Sequence, residues 1–350
     1  MTSMSAIASA KLSTMRRTAR IAAVVTGSFL LLMTGLSLWN LVVTRWQHAH
    51  TPVPGNFYSV FGRQMHLNCS GAGSPTLLIE AGAGADSFGW MGIQQKLSPL
   101  TRVCTYDRAG HGWSEPRSGP RDAEAIAHEL HALLELAGVP RPLVFAGHSA
   151  GGLYVREYAR EFPSEVAGVV LIDSSSPQQI DELAGFRQSY EQDKHSYARE
   201  LHWEKLRVWS GWERLMGRCE NEPSPELKYL KAQYDAKMCR PAYVGGDDNE
   251  FMDFETTCHQ AGRLTTFGNV PLLVISRSPA VDEGGAEISI WDGEQGALKS
   301  LSPQSWQVIA RGAGHAVHHD RPDLVVAEIT KLINYLRGRE TPPFGSTLTE

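Results

Sequence analysis

The chain carries no excess of basic residues, no Cys-x-x-Cys motif, and no charged side chain between positions 21 and 43. With a formal net charge of -5 over 350 residues it offers no basic face for a phosphate backbone, which sets nucleic acid aside as a partner. Without a Cys-x-x-Cys pair, a structural zinc site and dithiol redox chemistry lack support. Acidic residues are also missing from the first twenty positions, where Lys11, Arg16, Arg17 and Arg20 stand.

The uncharged run from Ile21 to Val43 would span roughly 34 Å as a helix at about 1.5 Å per residue, which matches a bilayer core. It is apolar on every face and sits outside any domain pattern, which fits a buried core helix poorly. Basic residues before it favour a cytoplasmic N-terminus and a translocated C-terminal body. A cleaved secretory signal is the competing reading, but the run is long for one, and no small-x-small site follows cleanly before Thr44-Arg45-Trp46. The expected order is therefore a cytoplasmic segment at 1–20, a transmembrane helix at 21–43 and a linker at 44–56.

Five cysteines fit an exported compartment, where disulfides persist. Cys69 and Cys104 fall in two strand-like stretches and could pair if those strands are neighbours. Cys219, Cys239 and Cys258 lie together further on, so one is left over and their connectivity stays open.

Short apolar stretches alternate with amphipathic ones from residue 57 onward. Phe57 to Phe61 and Gln64 to Cys69 read as a hairpin about Gly62-Arg63, followed by strands at Thr76 to Glu80 and Arg102 to Asp107. Helices are expected over 88–99, 122–137, from Gly151, over 293–301 and over 322–336, with further strands at 143–146, 166–173, 271–277 and 306–311. The alternation stops between about Ser174 and Asn269. There a charged, largely helical segment carries Trp203, Trp209, Trp212, Tyr229 and Tyr234, with the three tryptophans read as that segment's own core. This pattern describes a mostly parallel sheet covered on both faces, with ligands collecting at the carboxyl ends of its strands. An insertion leaving from Asp173, at such an end, would roof the same crevice. The tail, 338–350, reads as flexible.

Gly147-His148-Ser149-Ala150-Gly151 puts a serine on the corner between an apolar strand and a helix. So sharp a turn strains its central residue and needs glycines beside it, here Gly147 and Gly151. The serine oxygen then projects from the sheet, and the Ala150 amide, at a helix N-terminus, points where an oxyanion would form. A serine hydroxyl needs a base to take its proton, and the base needs an orienting acid. His315, after Gly312-Ala313-Gly314, has the best address among the 13 histidines. His318, His319 and Asp320 follow it, but no carboxylate or cysteine elsewhere completes a metal's ligand set; they read as surface or helix-entry residues. His148 and His111 read as structural. Two acids are available in the order nucleophile, acid, histidine: Asp173, directly at a strand terminus, and Asp282, in the longer loop after 271–277. Asp173 is favoured by its position, and either satisfies the order. A second oxyanion donor is expected from Glu80-Ala81-Gly82-Ala83-Gly84, with the Ala83 amide as candidate. A dinucleotide reading of those glycines fails, since Ser87 stands where the third is needed.

These stretches, with Tyr106-Asp107-Arg108-Ala109-Gly110-His111-Gly112-Trp113-Ser114 and Gly314-His315, resemble the α/β-hydrolase family from about Phe57 to Arg337. The resemblance implies an α/β fold with an eight-stranded, mostly parallel sheet whose second strand is antiparallel. The core would be 57–173 and 270–337, with a helical cap at 174–269 inserted after the sixth strand. It implies that the second and fourth strands are neighbours, which supports a Cys69–Cys104 bond, and it makes Asp107 to Ser114 a structural turn near the site. Two departures from the family pattern stand out: Ala81-Gly82 replaces the frequent His-Gly, and the loop after the seventh strand lacks the usual closely spaced acid. The expected activity is that of a membrane-anchored, carboxylesterase-like serine hydrolase acting on a small acyl substrate without cofactor or metal. A serine at the elbow argues against the dehalogenase and epoxide-hydrolase branches, which need a carboxylate there. The alternatives are acyl transfer, carbon–carbon hydrolysis, or a non-catalytic membrane-tethered binding protein on the same fold.

Overall fold

A computed structural model describes residues 2–182, 184–219, 225–238, 240, 247–278 and 286–350. The chain opens with a long helix, α1 (Thr2–His50). Its stretch Thr14–Gln47 contains an 18-residue window of mean hydropathy 2.0 with no buried residue, and is long and apolar enough to cross a membrane. The helix thus extends beyond the expected 21–43 at both ends and occupies most of the segment expected to be a linker.

Beyond it, strands and helices follow in the order β1 (Asn56–Val60), β2 (Arg63–Ser70), β3 (Thr76–Glu80), α2 (Met91–Leu97), β4 (Val103–Tyr106), α3 (Ala123–Leu136), β5 (Leu143–His148), α4 (Ala150–Glu161) and β6 (Val166–Ile172). Among the described residues six helices come next: α5 (Gln179–Glu182), α6 (Ala184–Trp209), α7 (Trp212–Leu215), α8 (Lys231–Met238), α9 (Asp247–Met252) and α10 (Phe254–Ala261). They form the cap. The core resumes with β7 (Leu272–Arg277), α11 (Ala286–Ala297), β8 (Ser305–Ala310), α12 (Val317–Asp320) and α13 (Pro322–Leu336), and closes with β9 (Thr347–Thr349).

The strands make one sheet in the order β1-β2-β4-β3-β5-β6-β7-β8-β9, antiparallel at β1–β2 and β2–β4 and parallel elsewhere. Alternate side chains of the central strands feed two separate cores, as a period of two requires. Leu78, Phe145, Val169 and Leu171 pack under α3 and α4, while Ile79, Val144, Val170 and Ile172 pack under α2 and α13. Both faces are covered. That is why these strands read as continuous apolar runs.

Cys69 and Cys104 lie opposite each other on β2 and β4 and form a disulfide. Cys219 is also disulfide-bonded, Cys258 is a buried free thiol, and Cys239 lies outside the described residues.

Three expectations are corrected. The sheet has a ninth strand, because the supposedly flexible tail adds β9 to the edge at β8 and lays Phe344 against Trp306. The helix expected at 293–301 starts at Ala286 and ends in a tight turn at Leu298–Leu301. Trp203, Trp209 and Trp212 do not form the cap's core; all three face outward.

Candidate active site

Ser149 sits between β5 and α4 with φ 52° and ψ -128°, a conformation costing a non-glycine residue about 1–3 kcal/mol. The neighbouring backbone explains why glycines flank it. A Cβ at Gly147 would lie 2.8 Å from the Gly151 carbonyl oxygen, and one at Gly151 would lie 2.5 Å from that of Glu80. Backbone hydrogen bonds pin the corner to the next strand: the Ser149 amide donates to Ile172 at 3.2 Å, and its carbonyl accepts from Ser175 at 3.0 Å.

His315 meets this serine from the loop between β8 and α12. Its Nε2 lies 3.0 Å from Ser149 Oγ, and its Nδ1 lies 2.6 Å from Asp173 Oδ2. An ionised carboxylate only accepts, so Nδ1 carries the proton and Nε2 offers its lone pair to the hydroxyl. Asp173 is fully buried just past β6, with φ 38°. Its other oxygen accepts from the Arg277 amide at 3.1 Å and from Trp291 Nε1 at 3.3 Å. Trp291, on α11, also meets the His315 ring edge-on at 5.7 Å. The structure therefore brings Ser149, His315 and Asp173 together. Asp282 lies outside the described residues. The His315 side chain is 45% exposed, so the pair it forms with Ser149 is open to an incoming molecule.

Two backbone segments face the serine. Ala150 is the first residue of α4, and its amide has no partner within the helix. Ala83 stands at the exposed tip of a turn closed by an Ala85 amide to Gly82 carbonyl bond of 3.2 Å. The closest approach belongs to Gly82, where a Cβ would lie 3.2 Å from Ser149 Cβ and 3.1 Å from His148 Nδ1. Gly82 lies within the donor stretch expected from the sequence, where Ala83 is the candidate; the lack of a side chain at Gly82 is the signal for the closer approach.

That loop is held from behind by Arg108, which is buried. The guanidinium donates to the carbonyls of Ala81 at 2.9 Å and Gly82 at 2.7 Å, to Glu80 at 2.8 Å, and to Glu250 of the cap at 2.7 and 2.9 Å. Burial pushes the Glu80 carboxyl up to about 7 against the pull of Arg108. Glu250 moves the other way: despite burial, Arg108 and His111 hold it below the usual carboxylate range. The preceding residue, Asp107, faces away and organises the turn that follows. Its carboxylate accepts from His66 at 2.8 Å and from the amides of Ser87 and Trp113 at 2.8 and 3.0 Å. Burial alone would raise it, but His66 and these donors hold it at about 2. At Gly112, with φ +49°, a Cβ would strike this carboxylate at 2.3 Å, so only glycine closes the turn.

Histidines back the site on the other side. His148 Nε2 donates to the His315 carbonyl at 2.9 Å, and burial pushes its pKa down to about 4. His318 is buried rather than a surface residue: it stacks on Trp90 at 4.0 Å and meets the His148 ring at 4.5 Å, and burial with its histidine neighbours holds it well below the usual value. His319 is exposed. Among the described residues no cluster of His, Cys, Asp and Glu is arranged to hold a metal ion.

Residues 77–328 match the alpha/beta hydrolase family. The chain belongs to that family. Over 269 residues, 77% of this chain and 87% of the relative, it is 26% identical to the uncharacterized protein YqjL of Bacillus subtilis. A shorter stretch of 117 residues, 35% of the relative, is 38% identical to an AB hydrolase superfamily protein of Gibberella zeae. Among solved structures, epoxide hydrolase VrEH1 from Vigna radiata superposes with a TM-score of 0.61 at 18% identity, covering 80% of this chain and 97% of that one. A thermophilic esterase from Thermogutta terrifontis does so with 0.55 at 20% identity, covering 83% and 100%. At such identities these two structures share the fold with this chain, and the chemistry has to be argued from the residues at the elbow.

Two outcomes are expected. Arg108→Met removes the charge that two buried carboxylates share and should cost about 3–5 kcal/mol, read from the urea midpoint. In the pH dependence, His148 and His318 stay neutral in the folded protein while the unfolded chain protonates both near about 6.5. Glu80 opposes them, holding a proton in the folded state that the unfolded chain has lost above about 4.5. Between about 4.5 and 6.5 the unfolded chain thus binds a net one proton more, and stability should rise with pH by about 1.4 kcal/mol per unit. His148→Gln should flatten that slope, measured by denaturant unfolding across the same range.

Proposed function

We propose that this alpha/beta hydrolase is a serine hydrolase cleaving an ester or related acyl substrate, tethered to a membrane by α1 with its catalytic body on the extracytoplasmic side. The observation that carries the chemistry is the relay of 3.0 Å from Ser149 to His315 and 2.6 Å from His315 to Asp173. The tether rests on the apolar stretch Thr14–Gln47 and the basic residues at its start.

In this reading His315 Nε2 takes the hydroxyl proton as Ser149 Oγ attacks the acyl carbonyl, and Asp173 stabilises the resulting imidazolium. Charge accumulates on the carbonyl oxygen, where the Ala150 amide and an amide of the 82–84 turn donate to it. His315 returns the proton to the leaving group, giving an acyl-serine. Water, deprotonated by the same imidazole, then releases the acid and restores the serine. The elbow strain holds the oxygen toward the histidine throughout. Every step uses groups of the chain and water alone.

The test is covalent labelling with a fluorophosphonate. An adduct on Ser149 is expected, and Ser149→Ala should lower kcat on simple esters by roughly 10⁴–10⁶. Asp173→Asn should cost about 10⁴ by imposing the wrong tautomer on His315, while Asp282→Asn leaves the rate near its starting value. Ester turnover undiminished in Ser149→Ala would overturn the proposal.

A further inference from the structure

The cap does not stand clear of α1; it grips it. Asn40, which is buried, donates from Nδ2 to the Val208 carbonyl at 2.8 Å, and Arg214 Nε donates back to Asn40 Oδ1 at 2.8 Å. Arg214 also reaches Thr44 Oγ1 at 3.3 Å. Gly211, with φ +79°, packs so close that a Cβ there would lie 2.8 Å from the Leu36 carbonyl oxygen. The corner between α6 and α7 therefore lies against α1 from Leu36 to Thr44.

That level has a meaning if α1 spans a bilayer. Arg16, Arg17 and Arg20 mark one boundary, and a hydrocarbon core of about 30 Å is crossed in roughly 20 residues at about 1.5 Å each. The opposite boundary then falls near Asn40, where the cap makes its contact. An asparagine at that depth is costly unless paired, and the cap supplies both its partners.

The exposed side chains around the contact suit the same place. Trp203, Leu206, Trp209, Trp212, Leu215 and Met216 are between 41% and 66% exposed, and Trp39 and Trp46 of α1 stand open at a similar level. Five exposed tryptophans, with Trp39 and Trp46 about 10 Å apart along α1, gather toward this end of the helix, as aromatic residues do where headgroups meet acyl chains. Beside them a mostly apolar groove of 400 Å³ runs between α1 and Trp209, lined by Leu30, Met33, Leu38 and Leu41 together with small polar side chains of α1, Thr34 and Ser37 among them. Its walls match a hydrocarbon chain.

We infer that the α6–α7 corner is a membrane-docking surface, seated in the leaflet opposite the basic end of α1, with a phospholipid acyl chain in the groove beside Trp209. The inference rests on the tether proposed above, and the experiment separates the two. Full-length protein in phosphatidylcholine nanodiscs carries one nitroxide at a time, on Trp209→Cys, Leu215→Cys, Leu30→Cys in the middle of α1, or Leu136→Cys at the far end of α3. Cys258 is buried with its thiol pushed up to about 12, so it stays unlabelled. Relaxation by oxygen reports lipid and relaxation by a polar nickel chelate reports water. Oxygen should dominate at 30, 209 and 215, and nickel at 136. Oxygen at 30 with nickel at both 209 and 215 leaves the tether standing and overturns the docking surface. Nickel at 30 as well overturns the tether and the docking surface together.

Discussion

The site depends on how closely bare backbone can approach bare backbone around the β5–α4 corner. Gly147 lies against Gly151, Gly151 against the carbonyls of Glu80 and Ala81, and Gly82 against Ser149 itself. No side chain fits at Gly147 or Gly151, and at Gly82 a Cβ would crowd Ser149 at 3.2 Å. Because β3 and β5 are hydrogen-bonded neighbours, the same contacts fix the loop after β3 over the first turn of α4. The strained serine is then a consequence of packing that the rest of the sheet over-determines.

Consecutive residues divide the work of holding that corner in place. Asp107 turns inward to His66 and the amides of Ser87 and Trp113, building the turn beneath the site. Arg108 turns the other way and holds the Ala81 and Gly82 carbonyls while reaching Glu250 in the cap. One guanidinium thereby joins the sheet, the loop facing the serine and the inserted helices. Burial is what lifts the Glu80 carboxyl to about 7, with the Arg108 charge pulling it down and the neighbouring Glu250 adding the smallest upward push.

What the sequence disclosed of this arrangement was local. Gly147 to Gly151 announced the corner, because a strand, a turn and a helix are adjacent in the chain there. The alternation of apolar runs announced the parallel sheet and the break in it announced the cap. Ambiguity entered where partners are far apart: Asp173 and Asp282 satisfied the same order, and it is the fold that brings His315 Nδ1 to Asp173, whose other oxygen the Arg277 amide and Trp291 hold. Glu250 carried no signal, since nothing in Asp247–Met252 marks a partner for an arginine on the far side of the insertion. Composition misled in two places. A proline-rich tail reads as loose although pairing with β8 orders it, and tryptophans read as core although the cap turns them outward.

The junction between α1 and the body carries a mechanical consequence. The chain leaves the helix at His50, and within a few residues Pro54 accepts from His66 at 2.6 Å, while the cap returns to hold Asn40 three turns back along the same helix. Tied once along its length at Asn40 and again just past its end at Pro54, α1 is an axle rather than a leash: its lean is handed to the body that carries Ser149.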